Sequence, residues 1–225
     1  MGQDLLHDLL DHPNPAGIVR QVQETLAREQ EARAKFREWL RPDVKAEFIN
    51  GEIIVHSPAL RRHNQVVKYI SFILEAYTSH FNLGEVAIEK ALVQLERSDF
   101  EPDVCFWHTT TAATFTDALM YYPPPNLVVE VLSNSTADRD RGVKYRSYEE
   151  AGVDEYWMVD PKLHTVEQFV LGPNKAEQLV LQQRAQLQLG ETITSDVLPD
   201  FSVPVKAFFD LQVRGAVVQQ LTGGH

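Results

Sequence analysis

Two short apolar runs in the middle of this chain each carry one acid. Pro102-Asp103-Val104-Cys105-Phe106-Trp107 holds Asp103, and Asn126-Leu127-Val128-Val129-Glu130-Val131-Leu132-Ser133 holds Glu130. Asp140-Arg141-Gly142-Val143-Lys144 follows, with an acid and a lysine four residues apart. A carboxylate inside a buried strand is costly unless it is paired or faces a cation. Side chains alternate along a strand, so Asp103 shares a face with Cys105 and Trp107, and Glu130 shares one with Val128 and Leu132. If the two strands pair, both carboxylates can converge on one hard cation. Magnesium takes oxygen ligands and keeps several waters, so two carboxylates suffice for it, or for manganese in its place. Such an ion polarises a phosphoryl oxygen and makes its water a better nucleophile. Lys144 can then stabilise developing negative charge or orient that water. Together these groups suit the cutting of a phosphodiester.

Each residue also has a plain structural reading. An Asp after Pro often makes a turn or cap. Asp140 and Lys144 have ordinary helix salt-bridge spacing. Glu130, set within Leu-Val-Val-Glu-Val-Leu, is the hardest to explain by structure alone. Tyr148, one turn beyond Lys144, reads as packing. His63 starts a helix after Arg61 and Arg62, where an ordinary surface role is preferred to a phosphate contact.

The elements that must position these groups are legible in outline. Residues 1–19, with Pro13, Pro15 and Gly17, read as a poorly ordered lead-in. Val22, Leu26, Phe36, Trp39 and Leu40 suggest an amphipathic helix over about 20–40, ended by Pro42, that docks on the main domain or on a partner chain. Asn50-Gly51 between apolar-containing runs predicts a hairpin. Residues 62–80 read as a helix with Val66, Val67, Ile70, Ile73, Leu74 and Tyr77 on its buried face. A strand-like stretch runs from Gly84 through Leu95, and Pro102 opens another strand. Pro123-Pro124-Pro125 marks a rigid connection. Leu127–Leu132 is typical of a strand buried on both faces. Ser135 and Asp138 have capping-box spacing at the start of a helix running to about Ala151, with Gly152 as its C-terminal cap. Glu155–Pro161 is a further strand. A hairpin follows, from Thr165 to Gln182, then a segment at 190–194, a Phe208-Phe209 anchor and a frayed end at Gly223-Gly224-His225.

The chain has 225 residues, ordinary globular composition and a net charge of −11. That charge counts against a broad basic surface coating nucleic acid. It does not exclude a nuclease, since a metal site must itself be acidic. Local basic patches are offered by Arg61, Arg62 and Lys68, and by Arg139, Arg141, Lys144 and Arg146. The single cysteine, Cys105, excludes a disulfide framework within the chain and fits a reducing compartment. With no signal-like start and no apolar stretch of membrane-spanning length, the expected location is cytoplasmic, without membrane association.

At this point the residues carry a resemblance. Glu47-x-x-x-Gly51-Glu52, Ser57-Pro58, His63, Pro102-Asp103, Val129-Glu130-Val131-Leu132-Ser133, Asp140-Arg141-Gly142-x-Lys144 with Tyr148, and Gly152-Val153-x-Glu155-Tyr156-Trp157-x-Val159-Asp160-Pro161 stand in the order and spacing of one family. The chain resembles the PD-(D/E)XK nuclease superfamily, and within it the Uma-two family of restriction-endonuclease-like proteins. The resemblance spans about residues 41–210. It implies an α/β, restriction-endonuclease-like core of helix, three strands, helix and strand, here with extra β-hairpins and an N-terminal helix. Residues 1–40 would then be an N-terminal extension and 211–225 a C-terminal tail. It also implies cleavage of DNA with Mg2+ or Mn2+ held at the positions of Asp103 and Glu130, with Lys144 catalytic. Glu47 would be an additional acid near the metal, though it also suits a solvated hairpin flank; Asp140 is a further candidate. In the wider superfamily a lysine stands two residues after the strand Glu. Here that position is Leu132, so either Lys144 supplies the ammonium from the following helix or the site is impaired.

Two other functions stay open: a non-catalytic interaction module that keeps the nuclease fold, and a hydrolase of a non-nucleic phosphate ester. Cutting both strands of a duplex calls for two sites, so a homodimer is expected, with the N-terminal apolar stripe or the C-terminal β-segments as its interface.

Overall fold

The computed structural model describes residues 2–41 and 43–223. Pro42 and the last two residues, Gly224 and His225, lie outside them, so the expected helix stop at Pro42 and most of the expected frayed end are not described.

The N-terminus corrects the first expectation. Gly2–Leu10 forms a helix, α1, and a 25-residue helix, α2, runs from Pro15 to Trp39. Pro15 sits in the first turn, where its missing N–H would have had no partner anyway, and the Asn14 carboxamide oxygen accepts from Gly17 N at 3.0 Å. Residues read as breakers therefore start the helix. Only the C-terminal part of α2 docks. Phe36 is fully buried against Phe48, while Val22 and Leu26 remain exposed. Asp99, fully buried, accepts from both Arg33 and Arg37, with the Arg37 contacts at 2.9 Å. Removing one partner from a buried pair of this kind typically costs about 3–5 kcal/mol.

The body contains two main sheets. The smaller has the order β2-β1-β5-β4-β7, from Glu52–Val55, Ala46–Ile49, Ser98–Phe100, Leu92–Gln94 and Tyr121–Tyr122. The hairpin β1–β2 turns at Asn50-Gly51, both at positive φ, as a tight two-residue turn requires. The larger sheet has the order β11-β10-β9-β8-β6-β3. Its strands are Leu179–Leu187, Thr165–Pro173, Glu155–Asp160, Leu127–Val131, Val104–His108 and Gly84–Ile88. Only β8 and β9 are parallel, and the helical segment between them makes the crossover. The stretch expected as one strand from Gly84 to Leu95 is in fact divided. It breaks at Glu89, at positive φ, and supplies β3 to the large sheet and β4 to the small one.

The order α3 (Arg61–Phe81), β3, β6, β8, helix, β9 reproduces the expected core. The helix α3 buries Val66, Val67, Ile70, Ile73, Leu74 and Tyr77 on one face of the large sheet, against Val104, Phe106, Val129 and Val131. The opposite face packs Cys105, Trp107, Val128 and Leu132 with Tyr148, Ile49 and Phe100. The alternation read from the two acid-bearing strands is therefore real. The short helix α4 (Thr109–Ala112) follows β6.

The crossover is not one regular helix. It consists of α5 (Ala137–Arg139), a π-helical turn over Asp140–Lys144, and α6 (Tyr145–Glu150), with Gly152 at positive φ after it. The expected capping box is not formed: Thr136 is the N-terminal cap and makes no side-chain capping bond. The hydroxyls of Ser133, Ser135 and Thr136 bond to one another instead. A small pair, β12 (Thr192–Thr194) and β13 (Ser202–Pro204), precedes a 3-10 turn that buries Phe208. The helix α7 (Leu211–Thr222) packs on α3.

Candidate active site

The site lies where the two sheets meet the crossover. β6 and β8 pair antiparallel with Val104 opposite Val129, and Asp103 precedes β6 by one residue. Continued by one step, this register sets Asp103 against Glu130 on the face occupied by Cys105 and Val128. The arrangement is tighter than pairing alone would give: Asp103 Oδ2 accepts from the backbone N–H of Val131 at 2.8 Å.

Glu130 is 4 % exposed and receives two donors, both on Oε1: Lys144 Nζ at 2.8 Å and the Tyr148 hydroxyl at 2.8 Å. Lys144 is itself 3 % exposed and also lies 2.8 Å from Glu47 Oε1 and 3.7 Å from Asp140 Oδ1. The π turn is the local reason, since it carries Asp140 and Lys144 and directs both inward. Such turns recur at functional sites. Glu47 comes from the small sheet, is fully buried, and receives His56 Nε2 at 3.0 Å and the backbone N–H of Glu101 at 3.1 Å. A polar chain thus runs His56, Glu47, Lys144, Glu130, Tyr148 and ties the two sheets together.

A second group surrounds Asp103. His63, in the first turn of α3, places Nε2 3.1 Å from Asp103 Oδ2. Lys45, just before β1, places Nζ 3.4 Å from Oδ1.

These contacts divide the acids. Burial pushes Glu130 up, Lys144 only partly offsets this, and the charges of Asp140, Asp103 and Glu47 push it further, to about 8. Asp140 is also raised, by burial first. Burial would raise Glu47 too, but Lys144 and His56 overcome it and hold its pKa at about 2. In Asp103 burial is likewise outweighed, by His63, Lys45 and the Val131 N–H, again to about 2. One lysine serves three carboxylates, so the cluster carries more acid than base. Both carboxylate oxygens of Asp140 are buried without a hydrogen-bond partner.

That surplus is what a hard cation would answer. The donors are oxygens, and Asp140 has two of them unused. Among the described residues no three His, Cys, Asp or Glu side chains gather into a ready-made metal cage. The oxygen donors present are of the kind that a hard, water-rich ion such as Mg2+ takes.

The structure brings together all five residues singled out in the sequence, Glu47, Asp103, Glu130, Asp140 and Lys144. Four readings need correction. Glu47 is not on a solvated flank: its strand is buried along its whole length. Lys144 belongs to no basic surface patch, and Arg141 is taken up by Glu167. His63 is no ordinary surface residue, and Tyr148 does more than pack. His56 and Lys45 were missed outright. The only sequence signal for His56 was its place at the end of the second hairpin strand, which does not show that it faces Glu47. Leu132 lies in the core beside Tyr148, so an ammonium cannot come from that position as the chain stands.

The fold and the buried cluster define a restriction-endonuclease-like protein. A solved structure supports this at the level of fold: a "putative nuclease belonging to DUF820" from Anabaena variabilis superposes with a TM-score of 0.63 and 12 % identity, covering 77 % of this chain and 94 % of that one. The model of the Uma2 (Uma-two) family, described as "Putative restriction endonuclease", matches residues 33–206. The chain belongs to the Uma2 family. No curated protein matches it.

Proposed function

We propose that this protein is a metal-dependent endonuclease that hydrolyses DNA phosphodiester bonds, with Mg2+ or Mn2+ held by Asp103 and Glu130. The observation that carries this reading is the state of Glu130. It is a buried strand carboxylate crowded by three other acids, with its only two donors on one oxygen. A bound ion would polarise a phosphoryl oxygen and make its water a better nucleophile. The chain's own residues have separate tasks. Lys144 and Tyr148 fix Glu130 through Oε1 and leave Oε2 without a hydrogen-bond donor among the described residues. His63 and the Val131 N–H fix Asp103 through Oδ2. Lys144 is the ammonium in contact with Glu130 and is held by Glu47 and Asp140 as well, so it orients that carboxylate and offsets charge near the scissile group.

The cutting form is proposed to be a symmetric dimer, since a duplex cut needs two sites. The cytoplasm is the proposed location, consistent with one buried thiol and with no helix among the described residues long and apolar enough to cross a membrane. The proposed division keeps 41–210 as the catalytic unit, 1–40 as an extension and 211–225 as a tail.

One observation favours a second reading, a nuclease-fold binding module. Lys144 is fully engaged by three carboxylates and Leu132 replaces the usual strand lysine. Calorimetric titration with Mg2+ or Mn2+, paired with cleavage of supercoiled plasmid, separates the two. The nuclease reading expects metal binding and cutting by the wild type and neither by Glu130→Ala. A wild type that binds no metal and leaves plasmid intact would transfer the argument to the binding module.

A further inference from the structure

Asp103 marks one edge of the candidate site, and its neighbours on that edge are basic. Lys45 and His63 reach its two carboxylate oxygens. The residues just before His63 are Arg61 and Arg62, both exposed, and the first turn of α3 contains no acid. Lys68 lies seven residues after Arg61, hence on the same side of the helix and about 10 Å further along its axis. It is exposed too. Past it, the Arg214 guanidinium from α7 sits 4.9 Å from the Tyr69 ring centre and 4.6 Å from that of Phe72. A strip of positive charge therefore runs from the edge of the site along α3.

Arg20 and Arg28 on α2 are likewise without an ion pair among the described residues but do not adjoin Asp103, and many of the chain's other cations are already paired. Arg33 and Arg37 are taken up by Asp99, Arg97 by Glu29, Arg141 by Glu167 and Lys144 by the site itself. Arg61, Arg62 and Lys68 form no ion pair among the described residues. In a chain of net charge −11, acids to pair with them were not scarce. A row of uncompensated cations leading to a phosphodiester-cutting site complements a polyanion.

We infer that the Arg61–Lys68 side of α3 holds the sugar-phosphate backbone of the nucleic-acid substrate and leads it to Asp103 and Glu130. This inference rests on the nuclease reading and adds to it the surface that binds the strand. Recognition there is by charge. Lysine and arginine contacts to phosphate fix register but carry no base sequence.

The test is binding of a short fluorescein-labelled DNA duplex in EDTA, measured by anisotropy across a salt series. Three proteins are compared: wild type, R61E/R62E, and R20E/R28E on the exposed part of α2. Losing two phosphate contacts should lower the salt slope by about 2 and weaken binding about tenfold or more at low salt. R20E/R28E should bind like the wild type. Thermal melting and Mg2+ titration of R61E/R62E should match the wild type, because the two arginines are exposed and make no ion pair. If wild type binds DNA and R61E/R62E binds it equally with an unchanged slope, this inference fails and the nuclease reading stands. An equal loss in R20E/R28E also overturns it, since the effect would then be one of overall charge. If wild type binds neither duplex nor single-stranded DNA, both fall together.

Discussion

Glu130 and Glu155 stand on neighbouring parallel strands of one sheet, both buried, and their surroundings differ sharply. Glu155 is met on both oxygens by neutral donors. Oε1 accepts from Trp157 Nε1 and Gln168 Nε2 at 2.6 Å each. Oε2 accepts from the Ser195 hydroxyl at 2.6 Å and from the backbone N–H groups of Asp196 and Val197 at 3.1 and 3.2 Å. It pins the loop between β12 and β13 onto the sheet. Glu130 has two donors on one oxygen and three acids around it, and it is raised to about 8. Glu155 is saturated by neutral donors on both oxygens, whereas Glu130 has a lysine and a hydroxyl on one oxygen and three acids close by. The difference lies in the partners, because burial is nearly the same for both.

The strongest way to break this contrast is to remove the cation that makes the acid cluster tolerable. Lys144→Ala leaves Glu130 and Asp140 buried without a counter-charge and Glu47 with His56 alone, and should destabilise the fold by about 3–5 kcal/mol in urea denaturation while abolishing cleavage. A variant as stable as the wild type would mean that the cluster is open to water or already protonated. Glu155→Ala tests the saturated side. It strands five donors and should cost about 3 kcal/mol, with cleavage per folded molecule unchanged. If its metal affinity fell, Glu155 would have to be counted with the site.

The pH dependence of stability sharpens the comparison further. Glu130 has a folded-state pKa raised to about 8 from 4.5, so its ionisation opposes folding. The stability it contributes is fully present below about pH 4.5 and is lost as pH rises through about 8. Glu47 and Asp103 are lowered to about 2, so their contribution is present above their ordinary pKa values and is lost as pH falls through about 2. Metal-free protein should therefore lose stability between about pH 5 and 8, and Glu130→Gln should flatten that limb without changing the acid one. An identical alkaline limb in Glu130→Gln would assign the loss to another group. The smallest effect is expected from Tyr148→Phe, which deletes one of the two donors to Glu130. It should cost about 1 kcal/mol and weaken Mg2+ binding detectably, since the carboxylate is then less well oriented. Metal affinity equal to that of the wild type would return Tyr148 to a packing role.

Much of this was legible in the sequence because it depends on local rules. Two-residue alternation placed Asp103 and Glu130 on one face, and helical spacing picked out six of the eight buried residues of α3. Asn50-Gly51 announced its hairpin through the backbone geometry only such residues accept cheaply. The order of elements, with the acid-lysine pattern set on it, was enough to imply the fold family. Where local signals can be read in two ways, the sequence misled. Pro15 and Gly17 looked like breakers and instead occupy a first turn. Ser135 and Asp138 had capping-box spacing but form no box. The run 84–95 looked like one strand and serves two sheets.

What only the tertiary structure decided was partnership across long sequence distances. Glu47 lies in a hairpin whose strand pattern does not show that a lysine almost a hundred residues later will neutralise it. His63 and Lys45 meet at Asp103 because the start of α3 and the approach to the first hairpin strand reach the same sheet edge, and neither position carries a local mark of that meeting. The physical reason is that side-chain type and spacing fix which face a residue shows, while charge compensation depends on what stands opposite. The chain determined by itself that two acids would be buried side by side. The packing of two sheets around a single π turn decided that one of them would remain short of charge.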